Sequence, residues 1–300
     1  MTDPQPHAWS RRRFTKIMGG AASLATLGTF ASACDGPAGS PTSAQAANAG
    51  VTKAPTTAAS PQPKAAAQNV VDAQLLSSRY GLKPFLPAPP PPTAKAIHLD
   101  PNHPTTFSDV PASEKIVFVT IDDGIDKDPA FIQMVKDFKI PLTLSLADTL
   151  IRDDYAYFEK LYETGFVSIQ NHTVTHPLEM PGLSFQQQLD EVAGQQVKLK
   201  REYGVTPYIF RPPGGNYNET TRAAVRQAGL KGMMMWREAM EIEDMEYQTS
   251  RRQLNPGDII LCHFRGPAQL KGKTMVQMMT NLYRHIQAQG FAVADVTQYV

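Results

Sequence analysis

The sequence predicts an α/β fold built on parallel strands, and three observations carry that prediction. Short runs of β-branched and aromatic residues alternate with segments whose apolar residues recur at helical spacing, the pattern of repeated βα units. The run Ile116-Val117-Phe118-Val119-Thr120-Ile121-Asp122-Asp123-Gly124 reads as a buried strand ending in two carboxylates and a glycine. Asp128-Pro129 then supplies an N-cap and a proline at the first helical position. The Asp-Gly pair therefore marks a βα loop, not the hairpin turn it often signals. Such units build an open sheet or an α/β barrel, and in both the chemistry gathers at the C-terminal ends of the strands.

The chain does not begin as a domain. Ser10-Arg11-Arg12-Arg13-Phe14-Thr15-Lys16 and the Gly/Ala-rich run from Ile17 to Phe30 resemble a twin-arginine export signal. Ala31-Ser32-Ala33 satisfies the small-x-small cleavage rule, so residues 1–33 are expected to be removed. Cys34 directly follows, as in a bacterial lipobox, although Ala31 stands where that motif usually has leucine. The expectation is an exported protein at the cell envelope, held to the membrane through a lipid on Cys34 or freely secreted. Between residues 35 and 95 the chain is rich in Ala, Pro, Thr and Ser and holds eleven prolines. Such a stretch lacks the apolar side chains that offset ordering entropy, so 34–95 is expected to be a disordered spacer. The short helical pattern from Val70 to Leu76 is set aside.

The bulk numbers agree with one folded part. Net charge is +1, which points to neither nucleic acid nor a strongly acidic partner. Residues 1–95 hold nine of the 29 Lys and Arg but three of the 28 Asp and Glu, leaving 96–300 mildly acidic. Residues 96–300 are ample for a single well-buried catalytic domain, expected to be monomeric. The two cysteines, Cys34 and Cys262, make no disulfide framework. Alternation along the strand points Cys262 away from the side of His263, as an ordinary buried thiol.

Within that domain, Leu142 to Leu146 reads as a second strand, Tyr155 to Tyr162 as a helix and Phe166 to Ile169 as a third strand. Ser184-Phe185-Gln186-Gln187 has the form of a capping box and opens a helix reaching about Tyr203. Tyr208 to Phe210 is a strand, Asn218 to Ala228 a helix closed by Gly229, and Met233 to Trp236 a strand. Ile259 to Phe264 is the next strand, Met275 to Gln289 a helix ended by Gly290, and Phe291 to Val296 the last strand.

What lies just past each strand points to chemistry. Asp122 and Asp123 follow the first, Asn171-His172-Thr173-Val174-Thr175-His176-Pro177 the third, and Arg211-Pro212-Pro213-Gly214-Gly215 the next; Leu261-Cys262-His263 ends the penultimate one. Each has an ordinary reading as a turn or a core residue; four at one edge form a constellation. His172 and His176 can present two imidazoles to one ion, and one carboxylate completes a ligand set of catalytic rather than structural type. A second carboxylate can take a proton from water whose pKa the ion lowers toward ~7, and a separate histidine can protonate a leaving group.

In this order and spacing, Thr-Ile-Asp-Asp-Gly, His-Thr-Val-Thr-His, Arg-Pro-Pro-Gly-Gly and Leu-Cys-His resemble the motifs of the polysaccharide deacetylase family, carbohydrate esterase family four. The resemblance runs from about Glu114 to Val300. It implies a deformed (β/α) barrel with fewer than eight strands, a divalent metal, usually zinc, and removal of acetyl groups from N-acetylated sugars. Carried over, Asp122 is the general base, Asp123, His172 and His176 are the metal ligands, Arg211 orients Asp122, and His263 is the general acid. The backbone N–H of Gly214 joins the metal in stabilising the oxyanion, and Trp236 lines or supports the substrate cleft. Two departures stand out. Gly214 replaces a usual aromatic wall, and Ala239 stands three residues after Trp236, where the family has an aspartate that tunes the acid histidine. Glu238, Glu241 and Asp244 lie near that position, and the sequence does not choose among them. The expected substrate is an acetylated extracellular polysaccharide such as peptidoglycan or a chitin-like polymer. An O-acetyl xylan esterase and a catalytically impaired carbohydrate-binding relic are the alternatives.

Overall fold

The computed structural model describes residues 63–300, so the export signal at 1–33, Cys34 and the start of the spacer lie outside the described residues. In chain order the elements are α1 (Pro63–Tyr80), β1 (Thr105–Phe107), β2 (Ile116–Asp123), α2 (Pro129–Phe138), β3 (Leu142–Leu146), α3 (Asp148–Ile151), α4 (Tyr155–Tyr162) and β4 (Val167–Asn171). They continue with α5 (Phe185–Tyr203), β5 (Ile209–Phe210), α6 (Glu219–Gln227), β6 (Gly232–Met234), β7 (Glu238–Met240), β8 (Met245–Tyr247), β9 (Ile259–His263), α7 (Met275–Ala288) and β10 (Ala292–Val293).

The strands form one curled sheet in the order β1-β6-β5-β4-β3-β2-β9-β7-β8, with β10 added to β2. Every pairing is parallel except the β7–β8 hairpin. Among the described residues the end strands β1 and β8 do not pair with each other, so the sheet is a half-barrel. This is the α/β deformed-barrel architecture expected from the motifs. The seven expected strands are β2, β3, β4, β5, β6, β9 and β10; three short ones, β1, β7 and β8, extend the sheet beyond them.

Period-two alternation sorts the strand residues onto the two faces of the sheet. Val117, Val119, Ile121, Ile260 and Cys262 face outward and pack under α2, α4 and α7 with Phe131, Phe158 and Tyr283. Ile116, Phe118, Ile209, Ile259 and Leu261 face inward and fill the lumen with Trp236 and Tyr299. Cys262 is fully buried among the outward set, away from His263 as expected. The helix signals also hold. Asp128 caps α2 by accepting from Ala130 N–H, and Ser184 and Gln187 complete a capping box on α5.

The spacer expectation needs correction over residues 63–95. Helix α1 occupies its first part, with Leu76 and Tyr80 buried. The Tyr80 ring lies 5.2 Å from Phe138 and its hydroxyl donates to Asp137 at 2.8 Å. Further on, Leu82 is buried and the Phe85 ring stands 5.4 Å from Tyr283. The average composition of the stretch concealed these few apolar residues. They meet apolar surface on α2 and α7, and that burial offsets the ordering cost the prolines and alanines could not. No described helix is long and apolar enough to cross a membrane.

Candidate active site

The fold brings Asp122, Asp123, His172, His176 and Arg211 together at the C-terminal ends of β2, β4 and β5, and sets His263 beside Asp122 in the β2–β9 register. Asp122 continues the inward face of β2, after Phe118 and Thr120. Asp123 should by alternation point outward, into the helix layer. Its backbone instead takes the left-handed region, φ 76°, which departs from regular strand geometry at this position. There Asp123 Oδ1 lies 3.1 Å from His176 Nε2 and 3.5 Å from His172 Nε2. A non-glycine residue in this region costs on the order of 1–2 kcal/mol, and such strain collects at functional sites. Thr173 (φ 71°) and His176 (φ 58°) share it.

The donor set suits a cation. His172 Nδ1 lies 2.7 Å from the carbonyl oxygen of Arg211 and donates to it, leaving the Nε2 lone pair free to act as a ligand. Asp123 Oδ1 is buried and has no hydrogen-bond partner. One oxygen and two imidazole nitrogens, all within 4.8 Å of one another, therefore converge without a donor to satisfy them. A divalent ion answers that arrangement. Burial pushes the Asp123 carboxyl up, but the imidazoles of His172 and His176 outweigh it and hold the group well below the usual carboxylate range. Burial likewise lowers His172, yet Asp122 and Asp123 raise it above its ordinary value.

Arg211 is fully buried and fixes Asp122. Its Nη1 donates to Asp122 Oδ1 at 3.0 Å and to Thr120 Oγ1 at 2.7 Å; Nε and Nη2 each donate, at 3.0 Å, to the carbonyls of Met234 and Met235. Burial lowers the guanidinium's pKa, and Asp122 offsets part of that. Asp122 Oδ2 stays on the open side of this grip, 3.8 Å from His172 Nε2. Trp236 is mostly buried; its ring lies 5.7 Å from the Arg211 guanidinium, so it supports the partner of Asp122. A Cβ on Gly215 would stand 2.9 Å from that same ring.

The Arg-Pro-Pro-Gly-Gly turn is closed by the N–H groups of Gly215 and Asn216, bonded to Pro212 and Pro213 carbonyls at 2.9 and 3.1 Å. Gly214 is exposed, with φ +61°. A Cβ there would lie 3.3 Å from Leu178 Cδ2.

On the other side of the cleft, His263 Nδ1 is buried and has no partner. Ala239 pairs with Leu261 and so shares the inward face of His263, two residues on. None of the three nearby acids replaces the missing aspartate. Glu238 is buried toward Asp258, Glu241 faces Arg265 at 3.6 Å, and Asp244 pairs with Arg252 at 2.6 Å. Burial, aided by Arg265, pushes the His263 imidazole down to about 4.

The sequence reading missed three supporting residues. Thr120 was legible as the inward neighbour two before Asp122. Asn171 stands beside His172 with no signal of its role: it accepts from Thr173 N–H at 3.0 Å and donates to Val192 O at 2.9 Å. Glu191 sits mid-helix with no motif to mark it.

The half-barrel is thus an α/β domain whose strand ends gather His, Asp and Arg side chains at one site. Residues 109–233 match the family model for polysaccharide deacetylase. An uncharacterized protein of Streptomyces coelicolor is 32% identical over 198 residues, 66% of this chain and 78% of its own. A peptidoglycan-N-acetylglucosamine deacetylase of Bacillus cereus is 23% identical over 199 residues, 63% of this chain and 90% of its own. Among solved structures, a CE4 family pseudoenzyme from Bacillus anthracis superposes with a TM-score of 0.54 at 18% identity, over 65% of this chain and 69% of that one. The chain belongs to the polysaccharide deacetylase family.

Proposed function

We propose that the protein is a metal-dependent hydrolase, most simply a zinc enzyme, that removes acetyl groups from an N-acetylated polysaccharide such as peptidoglycan or a chitin-like polymer. The observation that carries this reading is the buried Asp123 Oδ1, without a donor and within ligand reach of two imidazole nitrogens. When bound, a divalent ion there supplies Lewis-acid polarisation of the acetyl carbonyl and a more acidic water. The protein's own groups do the rest. Asp122 Oδ2, left open by the Arg211 clamp on Oδ1, takes the water's proton. Arg211 keeps that carboxylate aimed. The Gly214 N–H, not used in closing its turn, offers a donor for the developing oxyanion. His263, beside Asp122, is placed to return a proton to the leaving group.

The Bacillus cereus relative, named for an amide substrate, supports the N-acetyl reading. One observation favours a second reading, an O-acetyl ester substrate: His263 lacks the partner that would help it hold a proton, and an amine leaves poorly without one. The structural likeness to a pseudoenzyme keeps a carbohydrate-binding relic as the third. Acetate release from peptidoglycan, chitooligosaccharides and acetylated xylan, with zinc and with a chelator, separates them. Zinc-dependent release from N-acetyl polymers is expected; release from xylan alone would move the assignment to the esterase, and none at all to the relic. Residues 10–34 support export and attachment through Cys34. Cys34→Ala should then free the mature protein into the medium, and unchanged membrane retention would sink the anchor.

A further inference from the structure

The loop that presents His172 and His176 is held from behind by helix α5. Two of its residues, Thr173 and His176, are non-glycine residues in the left-handed region, and Thr173 is β-branched, for which that backbone is a marked outlier. Something must hold the loop in this shape. The carboxylate of Glu191 does so directly. Its Oε2 accepts from the N–H of Val174 at 3.0 Å and of Thr175 at 2.8 Å, and its Oε1 accepts from the Thr175 hydroxyl at 2.5 Å. Hydrogen bonds from backbone N–H to a carboxylate are stronger than neutral ones. All three fall on the two residues between Thr173 and His176.

One helical turn along, on the same face, stands Gly194. A Cβ there would lie 3.0 Å from Val174 Cγ2. Glycine inside a helix costs about 1 kcal/mol relative to alanine, and here it lets the loop lie close against α5. Asn171 fastens the other end of the loop, donating to Val192 O and to Gln196 Oε1, both at 2.9 Å. Helix α5 is 19 residues long and closed at its N-terminus by a capping box, so it forms a stiff support.

We propose that Glu191 is a positioning residue that sets the geometry of the 172–176 loop, and through it the affinity of the site for a divalent cation. This rests on the reading that Asp123, His172 and His176 hold that cation. Glu191 touches neither ion nor substrate; it acts by keeping the His176 imidazole aimed at Asp123. Partners behind ligands typically matter by 10–100-fold in metal affinity.

The test is zinc affinity of the full protein, measured by competition with a chromophoric chelator, for Glu191→Ala, Glu191→Gln, Glu191→Asp and Gly194→Ala, with His176→Ala alongside. Glu191→Ala should weaken zinc binding about 10–100-fold. Glu191→Gln should weaken it less and Glu191→Asp should recover part of the loss, while the metal-free variants keep the wild-type near-UV circular dichroism. Gly194→Ala should act in the same direction by pushing Val174 outward. Wild-type zinc affinity in folded Glu191→Ala would overturn the proposal. Should that variant not fold, unchanged affinity in Glu191→Gln would do so. Unchanged affinity in His176→Ala would instead remove the metal-site reading on which the proposal stands. A loss in His176→Ala with none in the Glu191 variants would remove the positioning role alone.

Discussion

On the β2, β4 and β5 side of the cleft the charged groups are held by neighbours, whereas on the β9 side His263 stands with Nδ1 bonded to nothing. The first side is built of buried charges that answer one another. Arg211 grips Asp122, its carbonyl orients His172, and Asp123 faces His172 and His176. Buried ionic groups are tolerated only when so paired. Each residue there is therefore fixed by several others, and a change at one is felt at the rest. The second side depends on one contact that Ala239 does not make. His263 keeps its place in the register with Asp122 but has lost help in holding a proton. On the proposed function, the rigid half governs whether the site works, and the tunable half on which leaving groups it works.

The largest effect should come from removing the centre of the rigid half. Arg211→Ala deletes four hydrogen bonds and leaves Asp122 buried without its cation. Breaking one partner of a buried pair costs about 3–5 kcal/mol, so urea denaturation should show a lower midpoint and acetate release should be lost. A variant with wild-type stability would mean that the two halves do not differ as described.

A smaller and more selective effect belongs to the acid side. His263→Ala should slow release from an N-acetyl sugar by roughly 10²–10⁴-fold and release from an activated aryl acetate much less. Ala239→Asp places a carboxylate on the inward face shared with His263. A nearby anion raises a histidine's pKa, so the limb of activity that declines as pH climbs past about 4 should move to higher pH on the amide substrate. An unmoved profile would show that His263 is not the proton donor.

The last effect lies away from the cleft, at Glu238, and is read in stability against pH rather than in turnover. Burial, with Asp258 beside it, raises this carboxyl from 4.5 to about 9. The folded protein then keeps a proton that the unfolded chain gives up, so stability falls as pH rises between those two values. Glu238→Gln should remove a slope of at most ~1.4 kcal/mol per pH unit, read from denaturation midpoints at pH 5, 7 and 9 on the scale of that shift. Parallel curves for both proteins would contradict a neutral Glu238.

The rigid half was legible because its residues lie directly past strands that the hydrophobic pattern marks. Asp122, Asp123, His172, His176 and Arg211 could be read from strand ends, and the structure brings all five together. The left-handed backbone that keeps Asp123 at the site was not readable, because an aspartate in that region leaves no local signature. Nor was Glu191, since a helix-borne carboxylate bonded to a distant loop looks like any solvated charge. Helix α1 was hidden for another reason: Leu76 and Tyr80 are the few apolar residues of a stretch whose average is polar and proline-rich, and their burial depends on surface supplied by α2 and α7. Tertiary contact decided that segment, and composition could not.

The central claim is that the adjacent aspartates hold different offices, Asp122 as base and Asp123 as ligand. Zinc content after dialysis, set beside acetate release, tests it for Asp122→Asn and Asp123→Asn. Asp122→Asn should keep its zinc and lose turnover, because the amide cannot take a proton from water. Asp123→Asn should lose its zinc, because an uncharged amide is a poorer ligand. The reverse pattern, zinc lost from Asp122→Asn and kept by Asp123→Asn, would contradict the account.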